Sequence, residues 1–144
     1  MFEILLKRPS EPELVCWHKI LVVDDDPEVL SALRRLLQRE PYDVVTASHP
    51  ELALEWLSRR DVSLTLVDLR MPEMSGDRFL EEVRKRSPRT ARAAMTGYPG
   101  KPETGGLPVI RKPWDGEKLK RTVRILLSDL ERAQVDPPSG GGTA

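Results

Sequence analysis

The sequence predicts an α/β domain built on a doubly wound, open parallel sheet of five strands. Short apolar runs stand out: Ile20-Leu21-Val22-Val23, without polar alternation, reads as a central strand buried on both faces, and Leu64-Thr65-Leu66-Val67 as a buried strand that ends in an acid. Segments with apolar residues at helical spacing separate such runs, and strand alternating with helix folds into one parallel sheet through right-handed crossovers. A third observation concerns the strand ends. The first run stops at Asp24-Asp25-Asp26-Pro27, a middle one at Asp68 ahead of Leu69-Arg70-Met71-Pro72, and the last, Val109-Ile110-Arg111, at Lys112-Pro113. Acids and one lysine are therefore expected at a single edge of the sheet.

The bulk numbers fit one such domain. A chain of 144 residues accommodates one core with tails. Its 23 basic and 23 acidic residues cancel, which leaves no electrostatic footprint for nucleic acid or an anionic membrane. Direct binding to either is not expected. The single cysteine, Cys16, excludes an internal disulfide framework and a cysteine-rich zinc site, and fits a reducing cytosol. No apolar run approaches the roughly 20 residues of a membrane helix, and Met1–Leu6 is too short and too charged for a signal peptide. A cytoplasmic chain is expected.

In chain order, residues 1–18 form an N-terminal extension that mixes Phe2-Glu3-Ile4-Leu5-Leu6 with a turn-rich Pro9-Ser10-Glu11-Pro12. It reads either as a frayed leader or as apolar cover for part of the domain. Ile20–Val23 is the first strand. Asp26 can cap a helix opened by Pro27, with Val29, Leu30, Leu33, Leu36 and Leu37 on one face. Pro41-Tyr42 turns the chain into a second strand, Asp43–Ala47. Pro50 opens a helix with Leu52, Ala53, Trp56 and Leu57 inward, and Leu64–Asp68 is the third strand. After the loop Leu69–Gly76, a helix over about Asp77–Arg86 buries Phe79, Leu80 and Val83, and Ala91–Met95 is a weaker fourth strand. Then the rhythm breaks. Gly97, Pro99, Gly100, Pro102, Gly105, Gly106 and Pro108 crowd the interval to Val109, at about 1 kcal/mol per Gly and 3 per Pro against an α-helix. The fourth helix of the alternation is expected to be short or missing. Val109–Ile110 is the last strand, and Asp115 can cap a closing helix whose stripe is Leu119, Val123, Leu126, Leu127 and Leu130. Residues 134–144, rich in Pro, Gly and Ser, are expected as a disordered tail.

In doubly wound sheets, ligands sit outside the carboxyl ends of the strands. Asp24, Asp25 and Asp68 would meet there, and three adjacent carboxylates repel, each ~1.4 kcal/mol of repulsion raising a pKa by one unit. A hard divalent ion with oxygen ligands relieves this, Mg²⁺ being the usual one beside phosphate. Lys112 adds a fixed positive charge that can pair with Asp68 at rest and with phosphoryl oxygens afterwards, and Thr96 offers a hydroxyl. The set suits phosphoryl transfer to a carboxylate, with Asp68 as nucleophile. A hydrolase needs a positioned general base, and His18, ahead of the first strand, and His49, after the second, read as surface residues. Asp26 reads as a helix cap, Trp56 and Trp114 as packing residues, and Met71-Pro72 as a turn.

On Val22-Val23-Asp24-Asp25-Asp26-Pro27, Val67-Asp68-Leu69-Arg70-Met71-Pro72, Thr96-Gly97-Tyr98 and Lys112-Pro113-Trp114, the chain resembles receiver domains of bacterial two-component response regulators. The resemblance implies a flavodoxin-like sheet in the order 2-1-3-4-5 and a receiver domain over residues 19–133. It implies a phosphorelay role in which Asp68 accepts phosphate from a histidine kinase or a histidine phosphotransfer protein. Mg²⁺ would be held by Asp24, Asp25, Asp68 and the backbone carbonyl of Arg70, directly or through water. Thr96 and Lys112 would contact the phosphoryl group, the Lys112-Pro113 bond would be cis, and Arg70 and Tyr98 would stand where side chains tune the life of the aspartyl phosphate. Such a module is a signalling phosphoprotein rather than an enzyme.

Two departures accompany the resemblance. The interval between Thr96 and Lys112 is too broken for the family's usual helix, and Val109 stands where the family carries an aromatic switch residue. A thin flank would result, which Phe2–Leu6 could cover from its own chain or from a neighbour's in a swapped dimer. The downstream protein and the oligomeric state stay open. So do the alternatives of a non-catalytic receiver-like scaffold and of a module excised from a hybrid histidine kinase or larger regulator.

Overall fold

The computed structural model describes residues 2–5, 18–38, 42–98 and 104–135, with residues 2–5 and 133–135 described through their backbone alone. Strands β1 (Phe2–Leu5), β2 (His18–Val23), β3 (Tyr42–Ala47), β4 (Leu64–Asp68), β5 (Ala91–Thr96) and β6 (Val109–Arg111) form one six-stranded sheet in the order β1-β3-β2-β4-β5-β6. Helices α1 (Pro27–Leu37), α2 (Pro50–Leu57), α3 (Gly76–Arg86) and α4 (Gly116–Val135) connect and close it. Without β1, the five parallel strands run in the expected order 2-1-3-4-5.

Strand alternation sorts the core into two layers. Ile20, Val22, Leu64 and Leu66 face Leu30, Leu33 and Leu37 of α1 and Leu119, Val123 and Leu127 of α4. Leu21, Val23 and Val67 face Ala53, Leu54 and Leu57 of α2 and Phe79, Leu80 and Val83 of α3. Burying each such Leu, Ile, Val or Phe is worth about 1.5–3 kcal/mol relative to exposure. Packing of the stripes, more than helix propensity, therefore fixes the helices. Caps set where they start. The Asp26 carboxylate accepts the Glu28 amide at 2.9 Å, and Asp115 accepts the amides of Glu117 and Lys118 at 2.9 and 3.2 Å.

Several expectations are corrected. Leu52 is 44% exposed, because α2 turns Pro50, Ala53, Leu54 and Leu57 inward and leaves Leu52 with Glu51 and Glu55 on the outer side. Tyr42 is the buried first residue of β3, drawn into the sheet opposite His18. His18 lies inside β2 with its side chain only 13% exposed. Its Nδ1 stands 3.0 Å from Ser63 Oγ and its Nε2 2.6 Å from Glu131 on α4. His49 is at the surface, as expected. The N-terminal extension follows the second of its two readings, as cover for part of the domain, but at a different place. Phe2–Leu5 pairs antiparallel with β3, Phe2 opposite Ala47 and Leu5 opposite Val44. It caps the edge of the sheet farthest from β6, and not the flank beside the β5–β6 connection.

Among the described residues no helix lies between β5 and β6, and the four described helices end with α4 as the fourth in chain order. Residues 99–103 of that connection lie outside the described set. Its described end is a turn in which Gly105 and Gly106 take φ of 66° and 90°, the left-handed region that glycine enters without steric cost. α4 continues through Val135, two residues into the expected tail; residues 136–144 lie outside the described set.

Candidate functional site

Ladder register brings the charged strand ends together. Val23 pairs with Val67, so Asp24 stands level with Asp68 on the adjacent strand, one spacing of about 4.8 Å away. Asp68 pairs with Met95 and Thr96 with Arg111, which puts Thr96 and Lys112 at the same edge. Asp24, Asp68 and Lys112 continue the face of Val22, Leu66 and Ile110. The stem of Lys112 carries its amine back across the ends of β5 and β4.

There Lys112 Nζ donates to Asp24 Oδ2 at 2.7 Å and lies 3.6 Å from Asp68 Oδ1. Asp24 Oδ1 accepts the Asp26 amide at 2.9 Å, and Asp68 Oδ1 accepts the Arg70 amide at 3.3 Å. Asp24, Asp25 and Asp68 each present a carboxylate oxygen, all within 4.8 Å of one another. Asp24 and Asp68 are buried and Asp25 is exposed, so the cluster opens to solvent on the Asp25 side. Burial, with the neighbouring Asp68 charge, pushes the Asp24 carboxyl up to about 6, against the lowering pull of the Lys112 and Asp26 hydrogen bonds. Burial works against the charge of Lys112 too. The bond to Asp24 and the charges of Asp24 and Asp68 outweigh it and hold the amine above its ordinary range.

Thr96, buried at the end of β5, accepts the Tyr98 amide on Oγ1 at 3.1 Å, and its carbonyl accepts the Lys112 amide at 2.8 Å. The Lys112-Pro113 peptide bond is cis. Arg70 lies two residues past Asp68, and its guanidinium stacks 3.5 Å from the centroid of the Tyr98 ring. Trp56 is buried and Trp114 packs against the α1/α4 layer, as packing residues.

Gly76 is a site residue that no motif in the sequence points to. It opens α3 with its amide donating to the Leu69 carbonyl at 3.0 Å. A Cβ there would stand 2.5 Å from both the Asp68 carbonyl oxygen and Leu69 Cα. Only glycine lets α3 close on the backbone that carries Asp68. The Ser75-Gly76 pair at a helix start was the available signal, since Ser75 caps α3 by accepting the Arg78 amide.

The arrangement is a half-buried anionic cluster with one engaged lysine and one strand-end hydroxyl, able to hold a hard cation and to place charge around an oxyanion. A family model described as the response regulator receiver domain matches residues 20–124. The chain is 41% identical over 112 residues to the hydrogenase transcriptional regulatory protein HoxA of Cupriavidus necator, covering 73% of this chain and 23% of that protein. It is 32% identical over 130 residues to the response regulator protein PilR of Pseudomonas aeruginosa, covering 83% and 29%. The chain thus spans about a quarter of the length of these curated relatives. Among solved structures, the signal receiver domain of an HD domain-containing protein from Pseudomonas fluorescens superposes with a TM-score of 0.75 at 28% identity, covering 81% of this chain and 98% of that one. Sheet order, strand-end chemistry and these likenesses agree, and the chain belongs to the receiver domain family of two-component response regulators.

Proposed function

We propose that Asp68 accepts a phosphoryl group from the phosphohistidine of a histidine kinase or histidine phosphotransfer protein, in a Mg²⁺-dependent reaction that switches protein–protein contacts. One observation carries the reading: three carboxylate oxygens within 4.8 Å of one another beside an amine already engaged by one of them. The donor set fits a hard divalent ion. One lysine cannot neutralise three acids, and the Asp24 carboxyl, raised chiefly by its burial and further by the neighbouring Asp68 charge, is an acid that a bound cation would help to ionise. Asp24, Asp25, Asp68 and the Arg70 carbonyl would hold the ion, which when bound supplies positive charge to the phosphoryl oxygens.

The chain's own residues do the rest. Asp68 Oδ1 is held by the Arg70 amide, which leaves Oδ2 to attack phosphorus. The P–N bond to the donor imidazole breaks, its electron pair stays on the ring nitrogen, and an acyl phosphate forms on Asp68. Lys112 sits closer to Asp24 than to Asp68, so its hold on the nucleophile at rest is the looser of its two contacts, and the amine is in reach of the equatorial oxygens afterwards. Thr96 donates its hydroxyl to the same oxygens. The role is that of a phosphoacceptor switch, and no direct contact with DNA is proposed for the stretch of chain present. The protein that reads the switch lies in the same polypeptide or in a separate one.

Incubating the chain with Mg²⁺ and acetyl phosphate should give a phosphoryl adduct by intact mass, absent from Asp68→Asn. No adduct, or the same adduct in Asp68→Asn, would leave the non-catalytic scaffold as the better reading. The glycines and prolines between Thr96 and Val109, which leave little room for the family's usual helix, are what favours that second reading.

A further inference from the structure

We infer that Arg111 is a positioning residue for Thr96, an inference that rests on the phosphoacceptor reading above. The Thr96 hydroxyl is buried, its oxygen accepts the Tyr98 amide at 3.1 Å, and its proton meets no acceptor among the described residues. A hydroxyl with one lone pair committed to a backbone N–H has its rotor restricted, and its proton is left for an arriving acceptor. On the proposed reading that acceptor is an oxygen of the phosphoryl group on Asp68. The orientation lasts only while the turn Thr96-Gly97-Tyr98 keeps its shape.

Burial does not hold that turn, since Tyr98 is 51% exposed. Two guanidinium groups do. Arg111 Nη1 donates to the Tyr98 carbonyl at 2.6 Å, and Arg70 stacks on the Tyr98 ring. Arg111 pairs with Thr96 across the β5–β6 ladder, so it grips the far end of the turn from the rung that Thr96 itself occupies. A charged donor to a carbonyl is stronger than a neutral one and has directional preference. Arg111 thus fixes Tyr98, Tyr98 fixes the Thr96 oxygen, and the hydroxyl is preset before any phosphoryl group arrives. With Val109 in place of an aromatic residue on the same strand, Arg111 is the side chain of β6 that ties the strand to this turn.

The test uses the full chain with Mg²⁺ and acetyl phosphate, following the rate of adduct formation and its decay after the donor is removed. Arg111→Gln should slow formation roughly threefold to tenfold, the scale of a modest misplacement of one reacting group. Arg111→Lys, which keeps a charged donor, should recover most of the rate. In a Thr96→Val background, Arg111→Gln should have no further effect, because it acts through the missing hydroxyl. A rate in Arg111→Gln equal to wild type, no recovery with lysine, or effects of Arg111→Gln and Thr96→Val that multiply would each overturn the inference. A wild-type chain that takes no label would overturn the phosphoacceptor reading and this inference with it.

Discussion

Lys112 is bonded to Asp24 at 2.7 Å and stands 3.6 Å from Asp68, so the resting lysine is engaged first by the wholly buried acid. The expected pairing with Asp68 exists as the longer of the two contacts. The shorter one decides what the lysine does for stability. Lys112→Met strands a buried carboxylate, and removing one partner of such a pair costs about 3 kcal/mol. The loss should be full at about pH 8 and much smaller at about pH 5, where Asp24 takes up a proton. Urea denaturation of the variant and the wild type at both values checks this, and an equal loss at both would contradict it.

The Asp24 carboxyl also predicts a coupling between metal and pH. Its pKa rises from 3.8 to about 6, mainly through burial, so the folded state binds this proton more tightly than the unfolded one. Its contribution to stability is therefore favourable at low pH, declines as pH climbs through that window, and stays unfavourable above about 6. A bound cation relieves the penalty only where the acid is ionised. The rise in Tm on adding Mg²⁺ should be larger at about pH 8 than at about pH 5. Thermal melts with and without Mg²⁺ across this range test it, and a pH-independent shift would count against the site.

Gly76→Ala should be costly. Its Cβ would meet the Asp68 carbonyl and Leu69 Cα at 2.5 Å, both backbone, so nothing soft can yield. A loss of about 1–3 kcal/mol is expected, together with slower labelling of Asp68. Gly97→Ala serves as the contrast in stability, because its Cβ meets the Lys112 stem at an ordinary 3.8 Å. Chemical denaturation of the two variants should separate them.

Thr65 offers a gain. Its hydroxyl is buried in β4 without a hydrogen-bond partner among the described residues. Thr65→Val keeps the shape and removes the orphaned group, which should stabilise the fold by about 1 kcal/mol. An unchanged or lower denaturation midpoint would show that the hydroxyl is satisfied.

β1 covers the outer edge of β3, and an uncovered edge strand invites pairing with another chain. Deleting residues 1–12 should lower Tm and produce concentration-dependent self-association. Melting and size-exclusion profiles of the truncated chain measure both. A shortened chain that stays as stable and as monodisperse as its parent would show that β1 is dispensable to the edge.

Much of this was legible in advance. Ile20–Val23 announced itself as a central strand because a strand buried on both faces has no polar alternation, Leu64–Asp68 as a buried strand ending in an acid, and the stripes of α1, α3 and α4 survive as packed faces. Leu52 misled because a helix as short as α2 leaves several apolar residues competing for one inward arc, and its neighbours choose among them. Phe2–Leu5 was visible as an apolar segment, but edge pairing is a choice between two ends of a sheet, which composition does not encode. His18 looked peripheral until α4 brought Glu131 to it from more than a hundred residues away.

What the sequence determined by itself was the alternation of strand and helix, and with it the class of sheet and which residues end the strands: local pattern and burial suffice for that. What only the tertiary structure decided was partnership across strands. That Lys112 engages Asp24 before Asp68, that Gly76 abuts the Asp68 backbone and that Arg111 grips Tyr98 are matters of a few ångströms between residues distant in the chain. Such distances follow from ladder register, helix seating and side-chain length together, and no window of sequence contains all three.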